Sequence, residues 1–107
     1  MKNLSQKWEE LMRSLEERFN DEVSLKGVLY LIGVQELNFR QKDFSKEEKI
    51  NVLHVATCKL LCKRGYYRFD RVDKDGWPHY IEMKPLKSLS ALDQENLIKE
   101  AIIDYLS

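Results

Sequence analysis

Cysteine, proline and glycine are all scarce in this chain, and a surplus of either charge is missing. Two cysteines, two prolines and four glycines exclude a disulfide-stapled scaffold, a collagen-like repeat and a low-complexity linker. Formal charge is zero, with 18 basic and 18 acidic side chains, so a general polyanion binder is not expected. No apolar run approaches the roughly 20 residues that cross a bilayer, and no membrane role is expected. A charged-then-apolar leader is also missing from the N-terminus. Cys58 and Cys62 lie one helical turn apart, a spacing at which the bonds to the side chains diverge and a disulfide rarely closes. Reduced thiols and a cytoplasmic protein are therefore expected.

What is present is the material of an ordinary globular domain. The 107 residues, 43% hydrophobic and 34% charged, suit one domain over 1–107 that buries roughly 60–65% of its unfolded surface. The charge is unevenly placed. Residues 1–22 carry net −2, residues 59–87 net +4 and residues 88–107 net −3. An acidic periphery meeting a basic segment within one fold is the simplest interpretation.

The stretch Ile50–Cys62 organises the rest. Ile50, Leu53, Thr57, Leu60 and Leu61 make one helical stripe, and Val52, Val55, Ala56 and Cys58 leave little of the circumference wettable. A helix apolar nearly all round is normally covered on several sides. Ser45-Lys-Glu-Glu48 opens it with the pattern of a capping box, and Lys63-Arg64-Gly65 closes it. Leu4 to Phe19 has helical periodicity, with Ser5 a candidate cap and Asn20-Asp21 a stop. Ser24 opens a second helix, to about Phe39, whose Gly27 and Gly33 each cost about 1 kcal/mol. Close approach to another backbone, most simply the central helix, is the gain that offsets them. A polar connection follows from Phe39 to Phe44. Ser90, or alternatively Asp93, caps a last helix with the stripe Leu97, Ile98, Ala101, Ile102, Tyr105 and Leu106.

Between Tyr66 and Lys84 the period changes to two, around Asp73-Lys-Asp-Gly76. That turn predicts a hairpin with a type I turn and a glycine bulge, pairing Asp73 with Trp77, Arg71 with His79, Phe69 with Ile81 and Tyr67 with Met83. On the other face Arg68 meets Glu82 and Asp70 meets Tyr80. The first face should bury and the second, with Tyr66, Val72, Pro78 and Tyr80, should be wet. The predicted architecture is α+β. It is a four-helix domain around a buried central helix (about 45–64), with a β-hairpin (about 66–84) inserted before the last helix.

Leu31-Ile-Gly-Val-Gln-Glu-Leu37, Phe44-Ser-Lys-Glu-Glu-Lys49 and Asp75-Gly-Trp-Pro-His-Tyr80 with Lys84-Pro-Leu86 resemble a family of short uncharacterised conserved hypothetical bacterial proteins. The resemblance covers about Trp8 to Tyr105. It implies a bacterial, cytoplasmic, single-domain protein and supplies no catalytic residues.

Several groups could carry chemistry. His54, Cys58 and Cys62 share a helical stripe, but zinc needs about four ligands in a tetrahedron, and core residues are the simpler interpretation. Cys62, beside Lys59, Lys63 and Arg64, is the better placed nucleophile of the two thiols. Glu36 with His54 or His79 could form an acid–base pair or a polar pocket. No phosphate loop, dinucleotide fingerprint or Ser–His–Asp arrangement is present, and neither cofactor nor metal is expected. The hairpin offers Tyr66, Arg68, Trp77, Tyr80 and Lys84 as a binding surface, aromatic types being enriched at interfaces. A non-enzymatic protein-interaction module, including a homodimer, is thus the leading expectation. A nucleic-acid accessory protein using the basic, aromatic hairpin comes second, and a small enzyme using Glu36, His54 or a cysteine third.

Overall fold

The computed structural model describes residues 1–37 and 43–107. Among these, the order is α1 (Leu4–Phe19), α2 (Leu25–Leu37), α3 (Lys46–Cys62), β1 (Tyr67–Val72), β2 (Pro78–Glu82), a 3₁₀ turn at Leu86–Ser88, and α4 (Ala91–Leu106). The class is α+β, with the hairpin between the third and fourth helices. Among the described residues no helix is long and apolar enough to cross a membrane. The expected end of the second helix near Phe39, and most of the connection after it, lie outside the described residues.

The helix starts follow from side chains that take up free first-turn amides. Ser45 Oγ accepts from the Glu48 N–H at 3.1 Å while Glu48 accepts from the Ser45 N–H at 2.9 Å, completing the predicted box. Ser24 Oγ accepts from the Gly27 N–H at 3.0 Å, and Ser90 Oγ from the Asp93 N–H at 3.1 Å, so Ser90 and not Asp93 caps α4. Helix α1 departs from expectation. Its cap is Asn3, whose Oδ1 accepts from the Gln6 N–H at 2.9 Å while the Gln6 side chain accepts from the Asn3 N–H. Asn3 and Gln6 satisfy each other reciprocally; Ser5 lies inside the first turn. Asn20 (φ 55°) ends α1 in the left-handed region, and Gly65 (φ 81°) turns the chain after α3.

Helix α3 is the centre, packed by α2, α4 and the hairpin. Val52, Val55, Ala56, Cys58, Leu60 and Leu61 are buried. The predicted stripe is partly wrong: Ile50 is 62% exposed and Leu53 only half-buried. A helix apolar on every side has no preferred face of its own, so its neighbours select which residues are covered. Two core clusters result. Ala56, Leu60 and Leu61 pack with Val28, Ile32, Ala101 and Ile102, and α1 adds Trp8, Leu11, Met12 and Leu15 from outside. Val52 and Val55 pack with Leu37, flanked by Tyr30, Val34, Phe44 and Trp77.

Gly33 sets the α2–α3 distance. A Cβ there would stand 2.4 Å from the Val52 carbonyl oxygen and 2.6 Å from Val52 Cγ1. Gly27 has no such backbone neighbour; its closest contact would be Ser24 Oγ at 3.3 Å.

The hairpin keeps the predicted register only near its turn. Asp73 N–H donates to the Trp77 carbonyl at 2.9 Å, and Gly76 (φ 91°) N–H to the Asp73 carbonyl at 3.0 Å. Arg71 opposes His79 as expected, but the register shifts between Phe69 and Arg71. Asp70 is the extra residue, a bulge. Beyond it Phe69 opposes Tyr80, Arg68 opposes Ile81 and Tyr67 opposes Glu82, not Ile81, Glu82 and Met83 as predicted. A one-residue slip exchanges the faces of one strand relative to the other. Tyr80, expected in water, is half-buried and packs its ring against Phe69 at 5.8 Å between centroids; Ile81 and Met83, expected inside, are exposed.

Gly33→Ala should lower unfolding free energy by at least about 2 kcal/mol, because backbone must move to admit the methyl. Gly27→Ala should change it by no more than about 1 kcal/mol in either direction, helix propensity opposing a slightly displaced cap. Urea titrations of the two variants check the contrast.

Candidate interaction face

The five hairpin residues proposed for binding are not gathered on one open surface. Trp77 stands against the second core cluster, 6.0 Å from Phe44 between ring centroids. Tyr66 is half-buried beneath Lys84, whose Nζ lies 4.8 Å from the ring centroid. Tyr80 points towards α3, where burial first, then the Cys62 thiol, Glu36 and Cys58, push its phenol up to about 12. Arg68 and Lys84 are exposed. Other cations of the region are engaged: Arg64 with Asp104 at 2.6 Å and Arg71 with Asp70 at 2.7 Å.

Glu36, His54 and His79 serve three separate places. His79 clasps the turn. Its Nε2–H donates to Asp73 Oδ2 at 2.8 Å, since an ionised carboxylate can only accept, and this bond is the main reason the Asp73 carboxyl sits below its usual range. Asp73 Oδ1 accepts from the Asp75 and Trp77 amides at 2.9 and 3.0 Å. His54 is exposed on α3, edge-on to Tyr67 at 6.3 Å, with Cys58 Sγ 3.4 Å from its Nε2. The Cys–His neighbourhood expected from the four-residue spacing therefore exists. However, burial, then Cys62 and Glu82, push the Cys58 thiol up to about 12, and burial also raises Cys62. Both thiols are free and protonated at neutral pH, opposite to the low thiol pKa a nucleophile requires. Among the described residues no group of three or more His, Cys, Asp or Glu could hold a metal.

Glu36 joins three helices. Its Oε2 accepts from Tyr105 O–H at 2.5 Å, and Lys59 Nζ lies 3.7 Å from Oε1. Gln35-Glu36 after an apolar run signalled a partly buried carboxylate; the partners, 69 and 23 positions away, carried no local signal. Burial first, then the Glu36 hydrogen bond, raise the Tyr105 phenol to about 12.

An apolar groove lies elsewhere. Between α2 and the start of α3, Tyr30, Gly27, Ile50 and Leu53 line a groove of about 520 Å³, with Lys26, Lys46 and Lys49 around them. Each element supplies a reason. Gly27, at the first turn of α2, leaves the floor open. Lys46, Lys49, Ile50 and Leu53 stand at i, i+3, i+4 and i+7 of α3 and so share one side. The Tyr30 ring is braced edge-on by Phe44 at 6.4 Å. No ion pair joins the three lysines to any described residue.

Protein-family models, curated proteins and solved structures were compared with the chain, and none matches.

Beside the groove is a second hollow that shares Ser24, Gly27 and Tyr30 with it and adds Phe19, Asp21, Glu22, Val23 and Leu31. Phe19 is 51% and Leu31 46% exposed. The two hollows form one face across the end of α1, α2 and the start of α3. Chemically it can exclude water from apolar side chains and pair charges. Sequence reasoning missed it because Ile50 and Leu53 read as core.

Two predictions arise from these geometries. The raised phenols and thiols hold protons in the fold that the unfolded chain releases, so the native state binds more protons above pH 9. Stability should be fully present below pH 9 and lost as pH rises from there through about 12. Tyr105→Phe should flatten the loss between pH 10 and 12 and cost about 1–2 kcal/mol at neutral pH, measured by denaturant titration at stepped pH. Thiol labelling of the native protein at pH 7.5 should be slow, with half-buried Cys62 reacting before buried Cys58, followed by mass spectrometry.

Proposed function

We propose that this chain is a small non-enzymatic protein-interaction module that docks its partner on the face formed by α1, α2 and α3. The observation that carries the reading is the lysine-bordered groove holding Ile50 at 62% exposure. A large aliphatic side chain left in water beside Leu53 and Tyr30 is the kind of contiguous apolar patch that marks an interaction site. The bordering ammonium groups have no described partner and would contribute selectivity and encounter rate. Two further observations support a binding role. The thiols are held protonated, and Glu36, the best buried acid candidate, is tied to Tyr105 and Lys59 as a clamp between helices. A cytoplasmic setting is consistent with the unpaired cysteines.

The test is an NMR titration with a synthetic amphipathic helical peptide bearing leucines on one face and glutamates on the other. Shifts should cluster on Tyr30, Ile50 and Leu53, and Ile50→Glu should weaken binding by at least about tenfold, the loss of one well-packed apolar anchor. Shifts confined to the hairpin, or none at saturating peptide, would remove the groove from the reading.

A further inference from the structure

The face just described is charged in two opposite halves, and this bears on what covers it. One half presents Lys26, Lys46 and Lys49 around Ile50 and Leu53. The other presents Asp21 and Glu22 beside Phe19 and Leu31. The halves meet at Ser24, Gly27 and Tyr30, which line both hollows. Among the described residues neither half is neutralised: no ion pair joins these lysines or these two carboxylates to another described residue. A surface that is basic on one side, acidic on the other and apolar throughout satisfies the requirement of a two-fold interface, in which one patch must complement itself.

We propose that a second copy of this chain is the occupant, related by a two-fold axis near Tyr30 and Gly27. Asp21 and Glu22 of each protomer then face the lysines of the other, and Phe19 and Leu31 cover the opposite Ile50 and Leu53. The proposal rests on the interaction reading above and adds the identity of the partner. The charge pattern is the reason to prefer a second copy over a foreign acidic helix. An acidic partner would satisfy the lysines but oppose Asp21 and Glu22, whereas a rotated copy satisfies both halves together. The face comprises 13 lining residues across the two hollows, fewer than the roughly 20–30 a side of a standard stable interface. The dimer is therefore weak and concentration-dependent, with a dissociation constant of about 10–100 µM.

Sedimentation velocity from low to high micromolar concentration reads this directly. The wild-type chain should pass from monomer to dimer, and raising ionic strength from about 0.05 to 0.5 M should weaken association several-fold. Lys46→Glu with Lys49→Glu makes the face net acidic, with Lys26 kept; Asp21→Lys with Glu22→Lys makes it basic. All four side chains are exposed, and circular dichroism verifies that both variants remain folded. Each variant alone should associate at least about tenfold more weakly than wild type, while an equimolar mixture should recover dimer, because both contacts then join opposite charges. A wild-type chain that stays monomeric at about 500 µM, some five times the weakest constant expected, overturns the proposal. So does a mixture no better than its parent variants. If the chain is monomeric yet the acidic peptide still shifts Ile50 and Leu53, the second copy is wrong and the groove reading stands. If neither occurs, both fall together.

Discussion

The approach of α2 to α3 at Gly33 is the contact on which the rest of the structure depends. With no side chain at that position, the Val52 carbonyl comes so close that even a methyl group could not be inserted. Both core clusters draw residues from both helices, Val28 and Ile32 with Ala56 and Leu60 on one side, Leu37 with Val52 and Val55 on the other. A wider spacing would leave both clusters underpacked, and each methylene-sized void in a core of this density is felt in stability. The groove depends on that spacing as well, since Tyr30 lies one turn from Gly33 and Ile50 and Leu53 flank Val52.

Polar contacts in this molecule mostly fix geometry. Glu36, Tyr105 and Lys59 tie α2, α3 and α4 together, and Asp73 with His79 holds the hairpin turn. Among the described residues no buried side-chain polar atom lacks a partner, as expected of a well-packed interior. On the outside, exposed aliphatic side chains lie beside lysines and carboxylates that form no ion pair with a described residue.

The readings from sequence fared according to how local the decisive physics was. Ser45 with Glu48, Ser24, Ser90 and the Asp73–Gly76 turn were legible because their donors and acceptors lie within four residues of each other. Asn3 was missed although its signal, an asparagine three before a glutamine, was equally local. The hairpin register was legible from Asp73 to Arg71 and lost beyond Asp70, because no composition rule marks where a strand bulges. Glu36 stood out as a polar group after an apolar run, but nothing near it in sequence pointed to Tyr105.

By itself the sequence determined the class, the starts of α2, α3 and α4, the central position of α3 and the reason for Gly33, since capping, periodicity and backbone clearance are properties of short segments. Only the tertiary structure decided which side of α3 stays wet. A helix apolar in every direction can be covered from any of them, and α2, α4 and the hairpin chose the side of Val52, Ala56 and Leu60. Ile50 and Leu53 were thereby left at the surface beside Lys46 and Lys49, and the candidate face exists because of that choice.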